Sequence, residues 1–290
     1  MRVETRHEVR QSERNLSTSR LSRSRQTLTP TVLWNIREEI PKHLTWKLML
    51  VSIAVPILLW WLVSSTGIVK PLFLPTPGAV LDSIARLWAE NTLQQDIVYS
   101  LFRVLSGFAL AAIVSIPLGI LMGTFESVRA VTEPAIAILR YMPAPAFIPL
   151  LILYFGLGEV PKILLIFIGT LFFNTLMVMD AVKFVPKELI ETTYTLGGGR
   201  WQVLTRVILP HVFPNVLDAG RVNMAASWNL VIVAELVAAT EGLGRRISVA
   251  QRFLRTDEIF AGLIVIGTIG LAIDLLFRLT LRLSCKWAMK

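Results

Sequence analysis

Four ionisable side chains, Arg140, Arg221, Glu235 and Asp274, stand inside otherwise apolar runs of this chain. A charge in hydrocarbon costs roughly 2.5–3.5 kcal/mol on insertion scales, so each needs a partner, water or a passing solute. The chemistry open to such groups is electrostatic: pairing with one another, or holding an ion in transit. Nothing here suits bond-making. His7, His43 and His211 are scattered, Cys285 is the sole cysteine, and no convergent His, Ser or carboxylate set is visible. A Gly-Lys dipeptide is also missing, so the chain has no Walker A phosphate loop.

Arg140 stands just ahead of Pro143, Pro145 and Pro149. Proline interrupts helical hydrogen bonding, and a helix broken at membrane depth exposes backbone groups that often line a solute path. Arg140 and Pro143 are therefore candidates for that path; the competing reading pairs Arg140 with a carboxylate on another span. Arg221 and Glu235 share a helix but lie about 21 Å apart at 1.5 Å per residue, too far to pair. Glu235 then needs a partner elsewhere or a watery gate. Asp274 and Arg278 have the spacing of a helical ion pair, which reads as structural.

The elements that must carry these groups follow from composition. Hydrophobic residues make up 54% of the chain and charged ones 17%, and the mean hydropathy is +0.61. That is the profile of a polytopic membrane protein, not of a water-soluble domain. The net charge of +9 does not imply nucleic acid, because the basic residues lie in tails and short loops between apolar runs. Spans are expected at about 48–69, 104–125, 131–157, 161–181, 213–239 and 259–281. The expected fold is thus an all-α polytopic membrane protein with about six transmembrane helices. Lys and Arg favour the side holding both termini and the 183–210 loop, which the positive-inside rule makes cytoplasmic; Arg245, Arg246, Arg252 and Arg255 run against it. Residues 1–45 read as an Arg- and Ser-rich cytoplasmic tail, largely disordered, leading into an interfacial helix; 46–290 form the membrane domain. Beyond the first span, 71–77 make a stiff link. An amphipathic helix should follow, with Val80, Leu81, Ile84, Leu87 and Trp88 at helical spacing.

One polar segment between spans stands apart. In 186–210, Glu188 and Glu191 suit a helix N-terminus, and Leu189, Ile190, Thr193, Tyr194 and Leu196 form an apolar side. Gly197, Gly198 and Gly199 then end the helix, and Trp201, Leu204 and Ile208 begin a second amphipathic turn ahead of Pro210. Such a loop either docks on a soluble partner or simply caps the bundle.

Glu191-Thr192-Thr193, then Gly197, then Val207-Ile208-Leu209-Pro210 resembles, at the same spacing, the cytoplasmic loop of binding-protein-dependent ABC importer permeases. There the pattern is Glu-Ala-Ala, Gly, Ile-x-Leu-Pro, so Thr192, Thr193 and Val207 depart from it. Leu74-Pro75-Thr76-Pro77, Leu139 to Pro149 with Tyr154 to Gly158, and Gly220 through Trp228 to Glu235 resemble the nitrate, sulfonate, taurine and bicarbonate branch. The likeness covers about 70–285, with a core at about 97–283. It implies a type I ABC importer transmembrane domain in the inner membrane of a bacterium, paired with a second permease copy. It also implies two cytoplasmic ATPase subunits that bind ATP and Mg and grip Glu191, Thr192, Thr193, Gly197, Val207, Leu209 and Pro210. An external solute-binding protein would deliver a small anion, and this chain would carry no cofactor and catalyse no reaction. Arg140, Pro143, Trp228 and Glu235 are the expected path residues. Arg245 and Arg246, following the Gly242-Leu243-Gly244 turn, either draw an anion to the outer mouth or meet headgroups or acidic residues of the binding protein. A self-sufficient secondary transporter is the alternative reading, although no inverted repeat is evident.

Overall fold

Inside hydrocarbon a backbone can satisfy its own polar groups only as helix or closed barrel, and each long apolar run of this chain folds as helix. The computed structural model describes residues 40–285 and Trp287. The expected disordered tail of 1–30, and the interfacial helix up to residue 39, lie outside them.

Helix α1 (Lys42–Ser65) is apolar around its whole circumference and buries only Ser64, the pattern of a helix surrounded by lipid. The described residues up to Leu59 belong to one unit and those from Trp60 onward to another. In the second unit come α2 (Pro77–Ala89), α3 (Thr92–Thr124), α4 (Glu126–Leu139), α5 (Ile148–Phe155) and α6 (Val160–Lys183). After these follow α7 (Lys187–Thr195), α8 (Leu209–Ala238), α9 (Leu243–Arg252) and α10 (Thr256–Ser284).

The helices α1, α3, α6 and α10 are each long and apolar enough to cross a membrane, and the bent pair of α4 with 144–155 adds a fifth when it is counted as one span. The sixth expected span is α8. Its 30 residues reach about 45 Å, but its hydropathy is lowered by Asn223, Ser227 and Glu235, all buried in the protein and hidden from lipid.

The most extensive helix pair is α3 with α6, and small side chains explain it. Gly107, Ala111, Ser115, Gly119 and Gly123 recur every fourth residue along α3. A Cβ on Gly119 would stand 2.6 Å from the Thr175 carbonyl oxygen, and one on Gly123 2.8 Å from that of Met179. The backbones touch there, as small-residue stripes allow in membranes. Polar side chains add interhelical links: Asn174 donates to Ser115 Oγ at 2.6 Å, Asn223 donates to Asn174 Oδ1 at 3.0 Å, and the Thr170 and Ser227 hydroxyls bond at 2.7 Å. Together they tie α3, α6 and α8.

The amphipathic helix forms as α2, with Thr76 accepting from the Ala79 N–H at its N-terminus. Its inward face is Val80, Ser83 and Leu87; Leu81 and Trp88, expected on the same side, are exposed. Hydrogen bonds set that face: Ser83 donates to Asp257 and Arg86 to Glu258 at 2.9 Å, both at the start of α10.

Candidate functional site

Away from the 186–210 loop, the start of α3 meets the end of α8 around a buried guanidinium. Arg103 donates through Nε and Nη2 to both carboxylate oxygens of Glu159, at 2.5 and 2.9 Å. Its Nη1 donates to Glu235 Oε1 and to the Glu241 carbonyl, each at 2.7 Å. Glu235 also accepts from Ser100 Oγ at 2.7 Å and from the Gly244 N–H at 2.8 Å. Asp96 accepts from the Gly242 N–H at 2.8 Å and pairs with Arg246. Gly242 has φ of 120°, and a Cβ there would stand 2.5 Å from the Glu235 carboxyl carbon; only glycine fits. The cations Arg103, Lys162 and Arg246 balance the carboxylates Asp96, Glu159 and Glu235, and buried charge persists only when so paired. Glu159, in the short connection before α6, has its pKa held down to about 2, chiefly by the Arg103 hydrogen bonds with Lys162 adding to them.

This geometry sorts the path candidates. Glu235 is fully buried and enclosed by partners, so it faces no watery gate. Trp228 is buried and donates its Nε1–H to the Ile266 carbonyl at 3.1 Å, bracing α8 on α10. Arg246 is committed to Asp96, whereas Arg245 is half-buried with no carboxylate within 4 Å among the described residues. Asp274 pairs with Arg278 at 2.6 Å as its spacing suggested, and with Arg221 at 2.9 Å.

Arg140 and Pro143 are brought together. Between α4 and the 3-10 turn Ala144–Phe147 the chain bends by 82°, because Pro143 and Pro145, two residues apart, each lack a helical N–H donor. The bend opens a cavity of about 370 Å³ against α6 and α8. Leu139, Met142, Ile168, Phe172, Phe173 and Leu230 give it apolar walls, and Arg140 and Asn229 are its polar groups. No carboxylate approaches Arg140 among the described residues. Its Nη2 donates to the Tyr141 hydroxyl at 3.1 Å, the guanidinium lies 4.8 Å from that ring's centre, and its buried Nε–H has no acceptor.

At the other end of the bundle, α7 carries the loop. Pro186 precedes it, Glu188 sits in its first turn, and Gly197 ends it with φ of 80°. Gly198 lies so close that a Cβ would meet the Thr193 carbonyl oxygen at 2.8 Å. The Thr192 and Thr193 hydroxyls donate to the Glu188 and Leu189 carbonyls of their own helix, at 2.6 and 2.8 Å. These hydroxyls are therefore already satisfied. A wide π-type turn, Val203–Ile208, leads into α8; the Pro210 ring that follows would clash with the Arg206 carbonyl in a regular helix. One side of the loop is anchored, with Ile190, Leu204 and Val207 packed on a core of Val182, Val185, Val203 and Ile208. The other side is bare: Leu196 is 83% exposed and Trp201, expected on the packed face, is 73% exposed. Of the motif residues, Thr192, Thr193, Val207 and Pro210 line one shallow hollow of about 340 Å³. Glu191, Gly197 and Leu209 are exposed outside it.

Asp96, Ser100, Arg103 and Glu159 were not picked out from the sequence as site residues. A signal existed: Asp96, Ser100, Arg103, Gly107, Ala111 and Ser115 follow one another along a single helical face. Among the described residues no three His, Cys, Asp or Glu side chains converge as a metal site.

The family model of the binding-protein-dependent transport system inner membrane component matches residues 115–285. The chain belongs to that family and is a transport permease with an ABC importer transmembrane fold. It is 35% identical over 241 residues to the taurine transport system permease protein TauC of Escherichia coli (strain K12), covering 81% of this chain and 88% of that one. With the putative aliphatic sulfonates transport permease protein SsuC of Bacillus subtilis (strain 168) it shares 32% identity over 246 residues, 85% and 89% of the two chains. Among solved structures, the MetNI methionine ABC transporter in an inward-facing conformation matches at TM-score 0.55 and 18% identity, covering 64% of this chain and 93% of that one.

Proposed function

We propose that two copies of this chain form the translocation pathway of an ATP-driven importer for a small anion of the sulfonate, taurine, nitrate or bicarbonate kind. An external solute-binding protein delivers the anion. Two cytoplasmic ATPase subunits, which bind the ATP and Mg, grip the 186–210 loop and move it. Both termini and the loop face the cytoplasm, as the charge bias of the loops supports. The observation that carries the reading is the loop itself: anchored by its apolar core on one side and bare at Leu189, Tyr194, Leu196 and Trp201 on the other. An exposed apolar patch on a helical handle is a docking surface in waiting. The self-sufficient secondary transporter loses its footing, since the family is defined by dependence on a binding protein.

Scrambling 187–199 should abolish both copurification with the ATPase subunit and ATP-dependent uptake into vesicles. Retention of both would overturn the reading. A cysteine at Thr195 should react with an impermeant thiol reagent only after cells are opened; labelling in intact cells would invert the orientation.

A further inference from the structure

Where the first half of α8 meets the end of α10, three arginines stand against two carboxylates. Asp218 accepts from Arg221 Nε at 2.9 Å, and Asp274 accepts from Arg221 Nη1 at 2.9 Å and from Arg278 Nε at 2.6 Å. Arg282, one turn beyond Arg278, has no carboxylate within 4 Å among the described residues. The group thus keeps one uncompensated positive charge. Its free donors are within reach, since Arg278 and Arg282 are both exposed. The three arginines and Asp218 rim a hollow of about 190 Å³, and Leu217, Phe277 and Leu281 give it an apolar lining. That is smaller than sites enclosing a whole small molecule, roughly 300–1,000 Å³, and suits a headgroup whose remainder stays outside. Room for a remainder lies alongside. Leu271, Leu275, Leu279 and Leu283, each more than half exposed, form a stripe one residue on from Asp274, Arg278 and Arg282 and so next to them on the helix surface. The 29 residues of α10 reach about 44 Å, longer than the roughly 30 Å of hydrocarbon. Arg278 and Arg282, in its last turns, therefore stand at headgroup level.

We infer that this hollow binds the phosphodiester headgroup of an anionic phospholipid, of the phosphatidylglycerol kind, whose acyl chains lie along the leucine stripe of α10. Guanidiniums grip phosphate oxygens in a two-pronged geometry, and basic pockets between membrane helices hold such headgroups. One phosphodiester charge matches the one uncompensated cation. A zwitterionic headgroup brings its own ammonium to a site already rich in cations, and a free phosphate gains nothing from the leucines. The leaflet that supplies the lipid is set by the orientation proposed above, which the cysteine at Thr195 scores separately.

The full-length chain in a neutral detergent, titrated with phosphatidylglycerol or phosphatidylcholine and read by native mass spectrometry, tests this. Phosphatidylglycerol should bind at least about fivefold more tightly than phosphatidylcholine, and inorganic phosphate at matching concentrations should not displace it. Arg282→Gln should weaken phosphatidylglycerol binding about fivefold, and Arg282→Lys, which keeps the charge but loses the fork, by less. Arg129→Gln removes an equal charge elsewhere in the chain and should bind as wild type does. Equal affinity for the two lipids, displacement by inorganic phosphate, unchanged binding in Arg282→Gln, or an equal loss in Arg129→Gln overturns the inference.

Discussion

Arg103 and Arg140 both put a guanidinium among the helices, yet the protein surrounds them in opposite ways. Arg103 is fully buried and meets two carboxylates and a backbone carbonyl. Arg140 is half-buried, rests on one phenol and keeps a buried donor unused. The first is a joint: it binds α3 to the approach to α6, to α8 and to the turn before α9. The second stands where the helix is broken and has no carboxylate partner among the described residues.

The largest effect expected from this contrast belongs to Arg103→Met. It leaves Glu235 buried without its cation and should cost about 3–5 kcal/mol, read as a large fall in Tm of the purified chain in detergent. Adding Glu235→Leu should restore part of that loss, since no uncompensated carboxylate then remains at that position. A single variant that melts like wild type would break the contrast at its strong end.

Acid should loosen the same joint by a smaller amount. Glu159 titrates at about 2 when folded against an ordinary 4.5. A depressed carboxylate stabilises fully above the unfolded value and loses that contribution as pH falls toward the folded one. Thermal stability should therefore decline between about pH 4.5 and 2, and more shallowly in Glu159→Gln. Identical acid profiles for the two proteins would remove Glu159 from the joint.

The smallest effect on stability is expected at Arg140→Gln, within about 0.5 kcal/mol of wild type by the same melting experiment. Nothing among the described residues pairs with its charge, so folding has little to lose there. A penalty rivalling that of Arg103→Met would mean that Arg140 is a second joint, and the distinction would collapse.

Much of this protein could be read along the chain because a membrane imposes simple demands. Spans announce themselves as long uncharged runs, and the loop at 186–210 stands out because a polar, glycine-ended helix is conspicuous between them. The ion pair of Asp274 with Arg278 was legible from a spacing of four. The partners of Glu235 were not. Arg103 and Glu159 lie 132 and 56 residues from the groups they meet across the Arg103 joint, and no local periodicity encodes such a meeting. Trp201 shows the same gap on a small scale: its spacing matched an apolar face, but the wide turn before Pro210 rotates that face away.

Composition and local order alone thus determined that the chain is helical, membrane-crossing and carries a polar, glycine-ended helix between two of its apolar runs, because hydrophobic length and backbone hydrogen bonding act residue by residue. Only tertiary structure decided which charges are spent and which are spare. Pairing depends on distances between helices, set by glycines that let α3 and α6 touch and by prolines that bend the chain at Arg140. Electrostatic energy depends on separation in space and on burial, and neither quantity is written in sequence position.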